Sequence, residues 1–333
     1  MPDFLGQGLR AHFAAKTLKR PALLLLVAAG LCAGSSLDWV DELGGRTERN
    51  ATGDVTAVHL AGTWVTDTEL LDIVRLPKLE RLDLAHTRIS DEGLQYCKPA
   101  KQMKELNLFY AEQITDRGIT AIKDWKKLTS LNLHGTRISD GALEILGGLP
   151  QLEVLDIAYT PFTDNGLDAL VPLTALRQLS IGRSKLSQNA IEVLRLFPTL
   201  EYLDVGGPHP GPGGYRATSG LPMDDNLPRA ISGLKQLRVL KLSYSQIAAD
   251  GLSTLAALDQ VNKLSLLGCP RVDDRALAAL AKWKSLKYVD VQETGTTQEG
   301  IEALKKARPE IQILCGPLPP THPLSAEEPK PVR

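Results

Sequence analysis

Residues 133–143 read LHGTRISDGAL and bring His134, Ser139 and Asp140 within seven positions, the residue types of a nucleophilic triad. The rest of the chain decides between chemistry and architecture, because the stretch returns. Residues 84–94 are LAHTRISDEGL, 157–167 IAYTPFTDNGL, 181–191 IGRSKLSQNAI and 242–252 LSYSQIAADGL; 291–301, VQETGTTQEGI, is a worn last copy. Thr136, Ser139 and Asp140 have counterparts in most copies and His134 has none. A triad is needed once. A residue type required at every turn of a chain is architectural.

The full unit is LxxLxLxxTxI(S/T)DxGLxxLxxLxx. LxxLxL alternates apolar and polar residues, a short strand with one buried face. The Thr after the strand is placed to bond turn backbone, and the (S/T)D pair offers oxygen to the free N–H groups of a helix start. GLxxLxxL follows at helical spacing. Units begin at Val55, Leu79, Met103, Leu128, Leu152, Leu176, Leu200, Leu237, Val261 and Leu286, mostly 24 or 25 residues apart, and a final strand over 311–313 closes the series. Over about 260 residues the chain resembles the leucine-rich repeat family. ITD or ISD before GL is similar to its ribonuclease-inhibitor and F-box-associated branch, and LDWVDELGGRTERNATGDVTAVHLAG (37–62) resembles the entry of exported bacterial members. The resemblance implies an α/β leucine-rich repeat solenoid, a curved horseshoe with parallel strands on the concave side and helices on the convex side. Each unit then buries its leucines only against its neighbours, so the ends need caps.

The remaining segments give the domain organisation. Residues 1–20 carry Arg10, Lys16, Lys19 and Arg20 against Asp3, and PALLLLVAAGLCAGSS (21–36) follows. A basic flank, a short apolar run and small residues form a secretion signal. The run is short of the roughly 20 apolar residues of a membrane helix, but extended over 21–40 it makes an uncleaved membrane anchor with its basic end in the cytoplasm. Signal or anchor (1–36), N-terminal cap (37–54, with a short helix near 36–43), repeat domain (55–315) and a disordered proline-rich tail (316–333, GPLPPTHPLSAEEPKPVR) are the expected parts. The step from Leu200 to Leu237 is 37 residues, and the Gly- and Pro-rich excess over 206–222 is read as a rim loop between strand and helix.

Composition narrows the function classes. In 333 residues the net charge is -1, with no basic stripe in the body, so nucleic acid is not an expected partner. Cys32, Cys97, Cys269 and Cys315 have neither zinc nor disulfide-framework spacing. Phosphate loops, GxSxG, paired catalytic acids and HExxH are absent from the sequence, so no enzyme and no cofactor is expected. His59, His86 and His134 fall in different repeats, His86 and His134 about 10 Å apart at the backbone, too far for a shared metal.

In such a solenoid binding falls to outward strand positions that change from copy to copy. Position eight of the unit reads His86, Tyr110, Gly135, Tyr159, Arg183, Gly207, Tyr244, Gly268 and Glu293, and position seven adds Phe109 and His134. Position five is a polar column, including Asp83, Asn107, Asn132, Asp156, Asp204 and Asp290, better suited to turn-like hydrogen bonds than to ligands. Tyr and Arg anchor interfaces because they bury area and keep a polar tip. Tyr215 and Arg216 of the rim loop are placed to reach over the same face. The expected partner-binding set is His86, Phe109, Tyr110, His134, Tyr159, Arg183, Tyr215 and Tyr244. The expectation is a non-catalytic protein–protein recognition scaffold, exported and secreted, periplasmic or membrane-anchored. The alternative from the F-box-associated resemblance is a cytosolic substrate-recruiting subunit of a ubiquitin ligase.

Overall fold

The computed structural model describes residues 37–207 and 226–317. The chain divides into a unit of residues 1–36 and a unit of residues 37–333. The signal or anchor, Cys32, most of the rim loop with Tyr215 and Arg216, and the tail beyond Pro317 lie outside the described residues.

Twelve strands form one sheet in chain order: β1 (Arg46–Arg49), β2 (Val55–His59), β3 (Arg81–Asp83), β4 (Glu105–Asn107), β5 (Ser130–Asn132), β6 (Val154–Asp156), β7 (Gln178–Ser180), β8 (Tyr202–Asp204), β9 (Val239–Lys241), β10 (Lys263–Ser265), β11 (Tyr288–Asp290) and β12 (Gln312–Leu314). Only β1 runs antiparallel to its neighbour. Helix α1 (Asp38–Glu42) precedes β1. One helix then follows each of the strands β2 to β11: α2 (Leu70–Ile73), α3 (Asp91–Tyr96), α4 (Asp116–Ile119), α5 (Asp140–Leu146), α6 (Asp164–Ala169), α7 (Asn189–Leu194), α8 (Asn226–Ile231), α9 (Ala249–Leu255), α10 (Asp274–Leu280) and α11 (Gln298–Ala307). This is the leucine-rich repeat solenoid, strands on one side and helices on the other.

The sheet shares one register. Leu82 pairs with Leu106, Leu106 with Leu131 and Leu131 with Leu155, so the buried position four of every unit stacks on the next. Across the 37-residue step Leu203 still pairs with Leu240, and the ladder passes the insertion undisturbed. The last strand begins one residue later than the leucine pattern places it, at Gln312. Just before it the Arg308 guanidinium donates to the carbonyls of Trp283, Lys284 and Leu286 at 2.8, 3.2 and 3.2 Å, tying the last turn to the repeat before it.

The polar residues of the unit hold the turn. Oγ1 of Thr87, Thr136 and Thr160 donates to the carbonyl three residues back at 2.6–2.7 Å. The position-five acids and amides accept the backbone N–H two residues on: Asp83 from Ala85, Asn132 from His134 and Asp156 from Ala158, each at 3.0 Å. The (S/T)D pair does more than the capping read from the sequence. Ser90 and Thr115 do cap their own helices, but Ser139 and Thr163 make no such bond. Each aspartate instead reaches sideways to the next repeat. Asp116 accepts from Ser139 N and Oγ at 2.6 and 2.5 Å, and Asp140 from Thr163 N and Oγ1 at 2.7 and 2.6 Å. The same rung joins Asp67 to Ser90, Asp91 to Thr115, Asp164 to Ser187 and Asp274 to Thr297. The glycine of the motif makes room for it: a Cβ on Gly166 would sit 2.6 Å from Asp140 Oδ1. Ser139 is therefore bonded to Asp116 and Asp140 to Thr163, which separates both from His134.

Candidate partner-binding face

At position eight the chain leaves the strand through a left-handed turn. His86, Tyr110, Tyr159, Arg183, Tyr244 and Glu293 have φ of 54, 52, 60, 59, 59 and 53°, where Gly62, Gly135 and Gly268 have 70, 70 and 68°. The conformation is imposed by the solenoid, because the position-eight N–H donates to the next repeat. His86 N bonds Phe109 O, Tyr110 N bonds His134 O and Tyr159 N bonds Gly182 O, at 2.7, 2.8 and 2.9 Å. A residue with a Cβ costs roughly 1–2 kcal/mol there. Six repeats nonetheless carry large or charged side chains where glycine fits without strain.

Six of the eight expected residues come together. His86 and Tyr110 are 5.6 Å apart between ring centroids with planes within 4°, and Phe109 meets both rings edge-on at 5.0 and 4.7 Å. His134 lies 4.8 Å from Phe109, 5.4 Å from Tyr110 and 4.6 Å from Tyr159. The Arg183 guanidinium closes the column 4.1 Å over the Tyr159 ring. The glycines between these residues are part of the same design. A Cβ on Gly135 would be 2.9 Å from Tyr110 Cδ1, and one on Gly268 would be 2.2 Å from Tyr244 Cε1, so each tyrosine lies across the glycine of the following repeat. Tyr244 stands beyond the Gly207 repeat, with its ring across Gly268.

Beside the column lies a hollow of about 620 Å³ lined by Tyr110, His134, Tyr159, Tyr202, Lys241 and Tyr288, among others. Position three supplies Tyr202, Lys263 and Tyr288 to it, residues that the reading of positions seven and eight missed. In LxxLxL position three is a polar alternate of the strand, so the period places it outward. The floor is polar: His134 Nδ1 is 3.3 Å from Asp156 Oδ1, and Lys241 Nζ is 3.9 Å from Asp204 Oδ2 and 5.5 Å from the Tyr202 ring. Burial raises the Asp204 carboxyl above the usual range, and Lys241 and the Gly206 N–H only partly oppose it. Burial likewise raises the phenols of Tyr110, Tyr202 and Tyr244, with a further push from Tyr159, Asp204 and Glu293 respectively. They stay protonated hydrogen-bond donors through neutral pH.

Elsewhere several titratable groups are committed to the fold. His59 bonds Glu48 at 2.9 Å, and Glu48 also holds Arg81 at 2.5 Å. Cys97 and Cys269 are buried, and burial pushes the Cys97 thiol up to about 12. Among the described residues no group of three His, Cys, Asp or Glu is placed to hold a metal ion, and no helix is long and apolar enough to cross a membrane. A second hollow of about 640 Å³ opens between α7 and α8, lined by Glu192, Arg195 and Arg229 without any aromatic side chain.

A family model described as leucine-rich repeat matches residues 75–96, 149–171 and 235–256. No curated protein matches the sequence. Among solved structures, the leucine-rich repeat ectodomain of the Arabidopsis receptor kinase HAESA, in complex with an extended IDA peptide hormone, superposes with a TM-score of 0.53 at 18% identity. That match covers 75% of this chain and 40% of HAESA, so the chain spans well under half the length of the receptor structure. An internalin (inlF) of Listeria monocytogenes matches with a TM-score of 0.45 at 17% identity, over 79% of this chain and 90% of that one. Three matched repeats, spread along a twelve-stranded sheet that runs in chain order, make the chain a leucine-rich repeat protein.

Proposed function

We propose that the protein is a non-catalytic recognition scaffold that acts outside the cytoplasm and binds a protein partner through its concave, strand-bearing face. The contact residues are His86, Phe109, Tyr110, His134, Tyr159, Arg183 and Tyr244, and from the sequence Tyr215, which lies outside the described residues. The observation that carries this reading is the column of aromatic side chains held at left-handed positions. A fold that needed only a turn there is served by glycine, as Gly135 and Gly268 serve it. Backbone strain kept in several adjacent repeats is strain kept for a surface. A solenoid of the same fold holding a peptide hormone is consistent with this use of the face. The basic and apolar sequence of residues 1–36 supports a site of action outside the cytoplasm.

The test compares the full chain with a variant in which Tyr110, His134, Tyr159 and Arg183 are all changed to Ala, after matching their circular dichroism. Buried aromatic and Arg anchors contribute about 2 kcal/mol or more each. A partner retained by the native chain is expected to be lost from the variant. Equal retention of every captured protein by both would overturn the assignment of this face. Protease added outside intact cells is expected to degrade the chain; protection until the cells are lysed would overturn the extracytoplasmic placement.

A further inference from the structure

The acids and amides of position five carry two polar atoms each, and the turn takes only one. Oδ1 of Asp83, Asn107, Asn132, Asp156, Asp204 and Asp290 accepts the N–H two residues on, at 2.9–3.0 Å. Along most of the column the rest is engaged too. Asp83 Oδ2 faces His59 Nδ1 at 3.9 Å, and Asp204 Oδ2 faces Lys241 Nζ at 3.9 Å and the Tyr202 phenol at 3.5 Å. Ser265 bonds Ser243 at 3.1 Å, Ser180 bonds Tyr202, and Asn107 and Asp290 have further interactions of their own.

Two neighbours differ. Asn132 Oδ1 accepts from His134 N, so the other atom is the amide nitrogen, and Nδ2 has no partner among the described residues. Asp156 Oδ1 takes both partners of its carboxylate, Ala158 N at 3.0 Å and His134 Nδ1 at 3.3 Å, and Oδ2 has none among the described residues. Asn132 and Asp156 are register partners on β5 and β6, about 4.8 Å apart at the backbone. Both line the hollow, as do Phe109, Tyr110, His134 and Tyr159. The Asp156 side chain is only 15% exposed, so little solvent serves its open oxygen.

A donor beside an acceptor selects a group that offers an acceptor and a donor on one edge. A carboxylate meets repulsion from Asp156, and an ammonium group meets the N–H groups of Asn132. A trans peptide group carries its oxygen and its hydrogen on opposite edges. A primary carboxamide carries both on the same edge. Lys241 and Lys263 of the same lining lie three and four strands beyond Asp156, about 14 and 19 Å away, and do not alter this choice.

We propose that the Asn132–Asp156 pair binds the side-chain carboxamide of a glutamine or asparagine on the partner protein. Asn132 Nδ2 donates to the carboxamide oxygen, and Asp156 Oδ2 accepts from its nitrogen. The proposal rests on the reading of this face as the binding face and adds two specificity-determining residues to it.

The probes are the N-acetyl, N′-methylamide derivatives of Gln, Glu, Lys and Met, which share their peptide groups and differ only in the side chain. Each is titrated into the isotope-labelled full chain, and the backbone N–H signals of His134 and Ala158, bonded to the two side chains, are followed by nuclear magnetic resonance. The Gln derivative is expected to shift both signals with a Kd of about 1 mM. The other derivatives are expected to bind at least about tenfold more weakly. Asp156→Asn keeps the oxygen that holds the turn and replaces the acceptor by a donor, so the preference is expected to pass to the Glu derivative. Asn132→Asp makes both atoms acceptors, so the preference is expected to pass to the Lys derivative. Both substitutions are isosteric, and a change of preference is a result that a damaged fold does not produce. Equal shifts from every derivative would overturn the proposal, as would no shift from the Gln derivative at about tenfold that Kd. Methyl glucoside binding as tightly as the Gln derivative would also overturn it, because the pair would then be a hydroxyl site. None of these titrations uses the partner, so they stand apart from its capture by the native face and its loss in the fourfold alanine variant, which keeps Asn132 and Asp156.

Discussion

At Tyr159 the backbone sits at φ 60° and the ring lies between His134 and Arg183, whereas at Glu293 the backbone sits at 53° under an exposed side chain. Changing either to Gly removes about 1–2 kcal/mol of left-handed strain and returns about 0.4–1 kcal/mol through the looser unfolded chain. Glu293→Gly is therefore expected to leave stability unchanged or raise it by up to about 1 kcal/mol. Tyr159→Gly also loses the ring contacts with His134 and Tyr110 and a cation–ring contact, each about 0.5–1.5 kcal/mol, and is expected to lower stability by about 1–3 kcal/mol. Urea unfolding of the two variants checks the contrast. A Tyr159→Gly protein as stable as Glu293→Gly would mean that the column contributes nothing to its own support. The aromatic row was legible in the sequence because it recurs in register, but its backbone conformation was not, since Tyr, His and Arg do not announce a positive φ. The signal that could have announced it was the glycine alternating with them at 62, 135 and 268, each at positive φ.

Between residue and repeat, the (S/T)DxG motif shows why the leucines were easier to read than the aspartates. Leucine spacing reports on the repeat that contains it. The partner of Asp140 is Thr163, 23 residues away in the next repeat, so reading within one unit found the local cap and missed the lateral rung. The same limit hid the reason for Gly166, whose missing Cβ leaves space for the Asp140 carboxylate. It also hid β1, whose sequence RTER carries no alternation and which forms because the exposed edge of β2 needs a pair. Asp140→Ala leaves Thr163 N and Oγ1 without their acceptor and is expected to cost about 1.5–3 kcal/mol. Gly166→Ala crowds Asp140 Oδ1 and Leu143 and is expected to cost about 1–3 kcal/mol. The double variant is the decisive one. With the carboxylate gone the new methyl has space, so the combined loss should fall short of the sum by about 1 kcal/mol. Strict additivity in denaturant unfolding would show that the glycine is there for some other reason.

Across the whole solenoid the leucine ladder sets how a local loss spreads. Leu131 is fully buried and pairs with Leu106 on one side and Leu155 on the other, while Ile311 lies at the far end of the sheet, where α11 gives way to β12. In a stack where each repeat touches only its neighbours, a weak central unit divides the array and a weak terminal unit frays alone. Leu131→Ala is expected to cost about 2–5 kcal/mol and to raise hydrogen exchange at amides on both sides of β5. Ile311→Ala is expected to raise exchange in β11 and β12 while leaving β4 to β6 protected as in the native chain. The pairing of Leu203 with Leu240 carries the ladder past the insertion, so the Leu131→Ala effect should cross from β8 to β9 instead of stopping there. Exchange confined to the repeats before Gly207 would mean that the two parts of the array unfold independently. The aromatic column and the hollow beside it would then rest on separate cooperative units, and substitutions in β9 to β11 would leave the column untouched.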